Sequence, residues 1–193
     1  MPSSESSNIS LIVQIVSKLK PSSILDVGIG NGKYGFLFRD YLDGHWVTGH
    51  AFHDKSTWTL KLIGIEVFPK YITPVQNYIY NDIWLGNAKD ILKERSGQAF
   101  DLVFLGDVIE HFTKEEGVEL IKCIRDKWLT PHGCILISTP NFQTRIDDPK
   151  RSIFGNSNEM HLSRWYAPEF KGLGMKCEIT DGKLLTVLLR KGE

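Results

Sequence analysis

Two hydrophobic spacings alternate along this chain. Short, almost wholly apolar runs recur, and between them lie segments in which apolar residues are three or four positions apart. The run from Phe100 to Leu105 is of the first kind and indicates a strand buried on both faces of a sheet. The segment from Ile9 to Leu19 is of the second kind and indicates a helix with one apolar face. The alternation of the two predicts an α/β fold.

The pattern predicts strands over residues 23–27, 60–67, 83–85, 100–105, 134–138, 175–180 and 183–190. It predicts helices over residues 9–20, 33–41, 74–80, 89–94, 114–128 and 167–172. Strands alternate with helices except for the last two, which flank Asp181 and Gly182, a pair typical of a hairpin turn. We therefore expect a doubly wound, mostly parallel seven-stranded sheet that closes with a C-terminal antiparallel hairpin.

Single residues predict where some elements begin. Ser7 or Asn8 is expected to cap the first helix. Thr113 is followed by Glu116 three positions later, which is the spacing of a capping box. Residues 131–133, which contain Pro and Gly, are expected to form a turn.

Composition and net charge limit the kinds of partner that the chain is expected to bind. The 193 residues are 41% hydrophobic and 24% charged, as in ordinary globular proteins. We expect one domain over residues 1–193, with residues 1–7 as a disordered tail. The 23 basic and 23 acidic residues give a formal charge of zero, which disfavours broad electrostatic binding of nucleic acid.

Cysteine usage and hydropathy predict a cytoplasmic location. Cys123, Cys134 and Cys177 are too few and too widely spaced for a disulfide framework or a zinc knuckle. We expect them to be buried thiols in a reducing compartment. The apolar run from Ile9 to Val16 is too short to span a membrane and does not resemble a signal peptide.

The block from Ile24 to Gly35 is the most distinctive local sequence. Three glycines at alternate positions follow a strand and open a helix, so backbone N–H groups are expected to face a charged ligand. A dinucleotide site would have a glycine in place of Lys33, and a phosphate-binding loop would have Ser or Thr in place of Tyr34. Asp26, just before the glycines, would repel a pyrophosphate and attract an ammonium group.

Polar residues follow four successive predicted strands, in the order Asp26, Glu66, Asn87 and Asp107. The carboxyl ends of parallel strands meet at one edge of a sheet, so these residues should converge. Together with the glycine block, this order resembles class I S-adenosylmethionine-dependent methyltransferases. The resemblance implies a Rossmann-like methyltransferase fold with S-adenosyl-L-methionine as cofactor.

The resemblance also implies roles within the cofactor site. Backbone donors near the glycines would hold the methionine carboxylate, and Asp26 would hold the ammonium directly or through water. Glu66 would accept from the ribose hydroxyls, unless it is an exposed charge at a strand end. Asn87 would bind adenine, unless it is only a turn residue. The implied cofactor-binding residues are Asp26, Gly28, Gly30, Asn31, Gly32, Lys33, Glu66, Asn87, Ala88 and Asp107.

The segment after the fourth strand is the candidate for chemistry. Asp107, Glu110 and His111 would share a face on a helical turn. In methyltransferases of this class, the region lies beside the adenine and the transferred methyl. The resemblance therefore makes His111 and Glu110 candidate catalytic residues, with His111 as a general base. A purely structural role for the pair is the alternative.

A divalent metal site is a second interpretation of that segment. Small-RNA 3′-end 2′-O-methyltransferases have a Glu-x-x-Glu-His block here and a metal-binding His downstream. This chain has a similar layout, which implies metal ligation by Asp107, Glu110, His111 and His161. The first acid is one methylene shorter and the net charge is zero, so we favour a site without a metal.

Residues after the fifth strand are candidates for the acceptor site. A polar loop over residues 141–158 is expected to be mobile, and His161, Arg164 and Trp165 follow it. These three could form an acceptor wall, with Arg164 suited either to an anion or to a surface salt bridge. The loop over residues 43–59 is expected to be solvated or to face the acceptor rather than to bind a metal. Its tryptophans are expected to pack the loop onto the domain rather than to stack on a planar or sugar substrate. Its histidines and tryptophans are His45, His50, His53, Trp46 and Trp58.

The sequence thus predicts methyl transfer to a small-molecule or glycan acceptor, at oxygen or nitrogen. Two alternatives stay open. One is a metal-dependent methyltransferase of RNA 3′ ends, and the other is a module that binds the cofactor without catalysis.

Overall fold

The computed structural model describes residues 6–44, 49, 54–141, 156–180, 182 and 184–192. Its strands are β1 Ser23–Val27, β2 Lys61–Glu66, β3 Asp82–Leu85, β4 Phe100–Gly106, β5 Leu129–Pro140, β6 Lys176–Thr180 and β7 Leu184–Arg190. Its α-helices are α1 Ile9–Leu19, α2 Lys33–Asp43, α3 Pro74–Ile79, α4 Ala88–Glu94, α5 Lys114–Cys123 and α6 Ala167–Lys171.

The strands form one seven-stranded sheet in the order β3-β2-β1-β4-β5-β7-β6. Strand β7 is antiparallel to both of its neighbours, and the other adjacent strands are parallel. The predicted doubly wound sheet with a C-terminal antiparallel hairpin is therefore confirmed, although Asp181 of the hairpin turn lies outside the described residues. The strand order reverses between β1 and β4, and ligands of such sheets bind beyond the strand ends at this point.

Strand register brings the carboxyl ends of the central strands to one level. Val27 at the end of β1 pairs with Ile65 of β2 on one side and with Leu105 of β4 on the other. Gly106 at the end of β4 pairs with Ser138 of β5. The polar residues that follow these strands therefore meet at a single edge, as the sequence predicts.

Each face of the sheet buries its own apolar cluster. Ile24 of β1 belongs to the cluster under α1, α2 and α3, and the next residue, Leu25, belongs to the cluster under α4, α5 and α6. Both side chains are fully buried, and the hydrophobic effect stabilises each by about 1.5–3 kcal/mol. The alternation places Asp26 on the same face as Ile24, toward α3.

Two local predictions differ from the structure. The predicted helix over residues 114–128 is an α-helix only to Cys123 and continues as a π-helical turn over Ile124–Trp128. The indole of Trp128 is buried there and donates to the carbonyl of Leu92 at 2.9 Å. The predicted turn at 131–133 lies within β5, where the pairing with β4 shifts register.

The two predicted helix caps have different outcomes. The capping box of α5 is confirmed, because Thr113 Oγ1 accepts from Glu116 N–H and the Glu116 carboxylate accepts from Thr113 N–H. Asn8 occupies the N-cap position of α1, but its side chain makes no cap hydrogen bond. Within the described ranges, no helix combines the length and apolar character that a membrane crossing requires.

Candidate functional site

The loop between β1 and α2 is held against the end of β2. The N–H groups of Gly28 and Ile29 both donate to the Ile65 carbonyl, at 2.8 and 3.1 Å. Gly28, Gly30 and Gly32 have φ values of 73°, 50° and 80°, which strain residues other than glycine. A Cβ atom on Gly30 would meet nothing within 4 Å. The loop therefore turns tightly and leaves open space beside its backbone.

Gln76 of α3 braces this loop from below. Its buried amide nitrogen donates to the Gly30 carbonyl at 2.6 Å and to the Tyr71 carbonyl at 2.8 Å. Its amide oxygen accepts from Thr73 N–H at 3.0 Å. Gln76 is not among the residues that the sequence pattern predicts for the site, although the spacing of Thr73 and Gln76 is that of a capping box.

The start of α2 places Asn31 and Lys33 beside the loop. The Asn31 side-chain oxygen accepts from Lys33 N–H at 3.2 Å, and the Lys33 ammonium lies 5.3 Å from the centre of the Tyr34 ring. The helix start and the ammonium both carry positive charge, so this end of the loop favours an anionic group.

Asp26 is a buried acid beneath the glycine loop, with 3% of its surface exposed. The Tyr80 hydroxyl donates to its carboxylate at 2.6 Å. Burial raises the pKa of Asp26 to about 7, the Glu66 charge adds to the rise, and the Tyr80 hydrogen bond opposes it. A cation nearby would favour the ionised form, so Asp26 can respond to an ammonium group near neutral pH.

Glu66 ties the end of β2 to the glycine loop. Its two carboxylate oxygens accept from the N–H groups of Gly30 and Phe68, each at 2.9 Å. The side chain is 4% exposed, so it is not an exposed charge at a strand end. Burial raises the pKa of Glu66, and the backbone hydrogen bonds oppose that shift. A carboxylate offers about four acceptor positions, of which these two bonds use two.

Asn87 is the N-cap of α4. Its side-chain oxygen accepts from Lys89 N–H at 2.9 Å, and Ala88 behind it is buried. The N–H of Gly86 donates to the Glu66 carbonyl at 2.9 Å, which brings this turn next to the end of β2. We call the set of Asp26, residues 28–33, Glu66 and Asn87 the glycine-loop half of the edge.

The other half, which we call the histidine half, consists of Asp107, Glu110, His111 and His161. Asp107 has a left-handed backbone with φ of 55°, and a short 3-10 turn covers Ile109–His111. The expectation that Asp107 shares a helical face with Glu110 and His111 is therefore wrong. The left-handed residue interrupts the helix, and the Asp107 side chain instead accepts from Ser138 Oγ at 2.8 Å.

Glu110 is a buried acid, and its two carboxylate oxygens differ in their hydrogen bonding. It is 2% exposed, and one of its oxygens accepts from the Thr139 hydroxyl at 3.0 Å. The other oxygen is buried and has no hydrogen-bond partner in the described part of the chain. Burial raises the pKa of Glu110 to about 8, and the charge of Asp107 adds to the rise.

The two histidines lie against each other beside Glu110. His111 Nδ1 is 3.1 Å from the Met160 carbonyl, which can only accept, so Nδ1 carries a hydrogen. The rings of His111 and His161 are 5.1 Å apart and close to perpendicular. One carboxylate oxygen of Glu110 and one ring nitrogen of each histidine lie within 4.8 Å of one another, and Asp107 is outside this group.

Solved structures that resemble this chain include methyltransferases. An O-methyltransferase family protein from Burkholderia thailandensis aligns with a TM-score of 0.64 and 18% identity, over 95% of this chain and 56% of that one. A SAM dependent methyltransferase from Archaeoglobus fulgidus aligns with a TM-score of 0.63 and 15% identity, over 94% of both chains. An SAH-bound methyltransferase from Podospora anserina has a TM-score of 0.59 and 17% identity, over 95% of this chain and 77% of that one.

The chain has the class I methyltransferase fold. No family model and no curated protein sequence matches it. The sequence identities above are low, so the likeness establishes the architecture and leaves the acceptor open. The predicted fold is confirmed. The roles of individual residues stay predictions.

Side chains of the segment after β5 lie partly at the surface and partly in the core of this methyltransferase fold. Trp165 is 1% exposed and donates to the Ile109 carbonyl at 3.2 Å and to Ser163 Oγ at 2.9 Å. It packs beneath the histidine half, so the structure does not place it on an acceptor wall. His161 and Arg164 are half-buried and remain candidates for that wall.

The loop between α2 and β2 is only partly described. Trp58 packs against Arg39, whose guanidinium lies 4.5 Å from the ring centre. This contact agrees with a packing role for the tryptophan. The other aromatic and imidazole side chains predicted for this loop lie outside the described residues, namely His45, Trp46, His50 and His53.

Proposed function

We propose that the chain transfers a methyl group from S-adenosylmethionine to a small-molecule or glycan acceptor, at oxygen or nitrogen. One observation carries the proposal. The glycine loop, with open space at Gly30, meets the buried carboxylates of Asp26 and Glu66 at the reversal point of a methyltransferase sheet. Solved structures that share this fold include an SAH-bound methyltransferase.

The glycine-loop half fits this cofactor in its donors and acceptors. The N–H groups and positive charge at the start of α2 suit a carboxylate, and Asp26 suits an ammonium through a bridging water. The unused acceptor positions of Glu66 suit ribose hydroxyls, and Asn87 suits the adenine amino group. When bound, the cofactor supplies a sulfonium methyl whose carbon–sulfur bond breaks as the acceptor attacks, which leaves a neutral thioether.

His111 is the base in this proposal. Its Nδ1 hydrogen faces the Met160 carbonyl, so Nε2 is the basic nitrogen and can take the proton from an acceptor hydroxyl or amine. Glu110 supports the site from below, since its backbone carbonyl accepts from the N–H groups of Leu162 and Ser163 at 2.8 and 3.1 Å. These bonds fix the segment that carries His161.

Calorimetry with S-adenosylmethionine, with its demethylated product and with NAD tests the proposal. We expect both sulfur ligands to bind and NAD not to bind, since Lys33 stands where a dinucleotide site has its third glycine. Failure of both sulfur ligands to bind would reject it. Transfer of a labelled methyl group to an acceptor distinguishes an enzyme from a module that only binds the cofactor.

A metal-dependent methyltransferase is the second candidate. The observation that favours it is the group formed by Glu110, His111 and His161, with ligand atoms within 4.8 Å and one buried carboxylate oxygen left without a partner. Two imidazoles and a carboxylate form a donor set that suits Zn²⁺ or Mn²⁺ better than Mg²⁺. The sequence implied four metal ligands, including Asp107. In the structure the possible ligands are the three residues Glu110, His111 and His161.

Metal analysis and chelation test this candidate. Stoichiometric Zn²⁺ or Mn²⁺ in the protein, lost on His161→Ala, would support it, as would activity lost with a chelator and restored by the metal. RNA with a free 3′ end should then be an acceptor. Full activity of the metal-free protein would rule the candidate out.

A further inference from the structure

Asn8 stands at the N-cap of α1 but directs its side chain elsewhere. An N-cap asparagine usually accepts from a backbone N–H of the first turn, and Asn8 makes no such bond. Its buried amide nitrogen donates to Ser138 Oγ at 3.0 Å, 130 positions away at the end of β5. Its amide oxygen accepts from the Tyr34 hydroxyl at 3.3 Å. The side chain therefore joins α1 to α2 and to the sheet.

The same hydrogen bonds continue to Asp107. Ser138 is fully buried, and its hydroxyl donates to the Asp107 carboxylate at 2.8 Å. The backbone N–H of Asp107 donates to the Ser138 carbonyl, also at 2.8 Å. A connected series thus runs from Tyr34 through Asn8 and Ser138 to Asp107.

Asp107 fixes the direction of this series. An ionised carboxylate only accepts, so Ser138 must direct its single hydroxyl hydrogen to Asp107. The Ser138 oxygen must then accept from the Asn8 nitrogen, which turns the Asn8 oxygen toward Tyr34. Position 8 therefore needs a donor and an acceptor on one short side chain, and asparagine provides both.

We propose that Asn8 is a positioning residue that holds the Asp107 carboxylate, through Ser138, in the orientation that cofactor binding requires. The proposal rests on the proposed function and on the resemblance, which implies that Asp107 also binds the cofactor. Without Asn8, the Ser138 hydroxyl can rotate away from Asp107. The cofactor site is therefore complete only when the start of α1 is docked on the sheet.

Calorimetry with the demethylated cofactor tests the proposal on the full chain. Asn8→Ala, Asn8→Asp and Ser138→Ala should each weaken binding about tenfold, because each removes or misdirects the hydroxyl hydrogen that Ser138 donates to the charged Asp107 carboxylate. Asn8→Asp keeps nearly the same side-chain shape. The carboxylates at positions 8 and 107 then compete for the single hydroxyl hydrogen of Ser138. Thermal unfolding shows which variants fold, and Asn8→Asp and Ser138→Ala carry the test if Asn8→Ala does not fold.

Thr186→Val is the matched control. Thr186 is the partner of Ser138 on β7, and its buried hydroxyl has no hydrogen-bond partner among the residues described. The variant removes a buried hydroxyl beside the series without touching it, so its cofactor affinity should equal that of the wild type. A tenfold loss in this control would overturn the proposal.

A double-mutant cycle separates positioning from simple stabilisation of α1. Asp107→Gly removes the carboxylate at a left-handed position that glycine tolerates. Asn8→Ala should then weaken binding less than twofold in the Asp107→Gly background. A further tenfold loss, or unchanged affinity in the single Asn8 and Ser138 variants, would overturn the positioning role alone. Failure of the wild type to bind would overturn the proposed function as well.

Discussion

The glycine-loop half and the histidine half satisfy their buried carboxylates differently. Both oxygens of Glu66 accept backbone N–H groups, and Asp26 accepts from Tyr80. Glu110 accepts from Thr139 through one oxygen, and its other oxygen has no partner in the described ranges. An unsatisfied buried acceptor costs about 1–3 kcal/mol. The first half is therefore complete before a ligand arrives, whereas the second still needs a proton, a donor or a cation.

This difference indicates that one half of the edge is suited to binding and the other to reaction chemistry. A binding site gains affinity when its groups are already oriented, because less ordering is needed on binding. A reactive site instead needs groups that can change protonation state near the working pH. The glycine-loop half has the first property, and Glu110, whose pKa is raised to about 8, has the second.

The largest expected effect concerns Asp26, a buried acid of the glycine-loop half. Its ordinary pKa is 3.8, and burial raises the pKa to about 7 in the folded protein. Between these values the folded state holds a proton that the unfolded state has released, so stability falls as the pH rises from about 4 to about 7. Asp26→Asn should reduce this decline by up to about 4 kcal/mol, measured by urea unfolding at several pH values.

Asp40→Asn, at an exposed position on α2, is the control for this measurement. It should leave the dependence of stability on pH unchanged. We also expect the wild type to bind S-adenosylmethionine more tightly as the pH rises through 7, because the ionised carboxylate faces an ammonium, and Asp26→Asn should lose that dependence. Parallel pH profiles for the wild type and Asp26→Asn would contradict both expectations.

Glu66→Ala tests whether the glycine-loop half is organised before ligand binding. It leaves the N–H groups of Gly30 and Phe68 without their acceptor, and relief of a buried acid offsets part of the cost. We expect a net loss of about 3 kcal/mol in the free energy of unfolding and at least about tenfold weaker cofactor binding.

Two further variants test whether these losses are specific to the Glu66 carboxylate. Glu66→Gln keeps one acceptor oxygen and should lose about half as much stability. Glu94→Ala truncates an exposed glutamate on α4 and should stay within about 0.5 kcal/mol of the wild type. Normal cofactor affinity in a folded Glu66→Ala protein would show that the carboxylate braces the loop without binding the ligand.

His111→Ala tests the other half. We expect turnover to fall about 100-fold, or about 3 kcal/mol, through loss of the base, while cofactor affinity changes less than about threefold. Calorimetry and initial rates measure the two effects on one preparation. His132→Ala removes an exposed histidine of β5 and should alter neither. Equal losses of affinity and turnover in His111→Ala would erase the distinction between the two halves.

The sequence identified much of the glycine-loop half because its pattern is local. The strand, the glycines and the helix start follow one another within residues 23–35, and Glu66 follows an apolar run. Hydrophobic periodicity and turn chemistry act over such distances. Tyr80 was missed because its bond to Asp26 spans 54 positions, and no local pattern marks a tyrosine as a partner of a buried acid.

The histidine half was less predictable because tertiary contacts build it. The acid and histidine were visible in sequence, but His111 is oriented by Met160, 49 positions later. The left-handed backbone at Asp107 removed it from the expected helical face, and packing drew Trp165 into the core. These outcomes depend on how the segment after β5 folds back, which periodicity does not specify.

The smallest expected effect separates two roles of Asn87. Asn87→Ala removes the cap on Lys89 N–H and should cost about 1 kcal/mol of stability and a few-fold in cofactor affinity. Asn87→Ser keeps a capping oxygen on a shorter side chain, so it should restore stability but not affinity. Urea unfolding and calorimetry on the two variants measure this split. If serine restores affinity as well, Asn87 serves the site only by holding α4 in place, and the glycine-loop half recognises adenine through other groups.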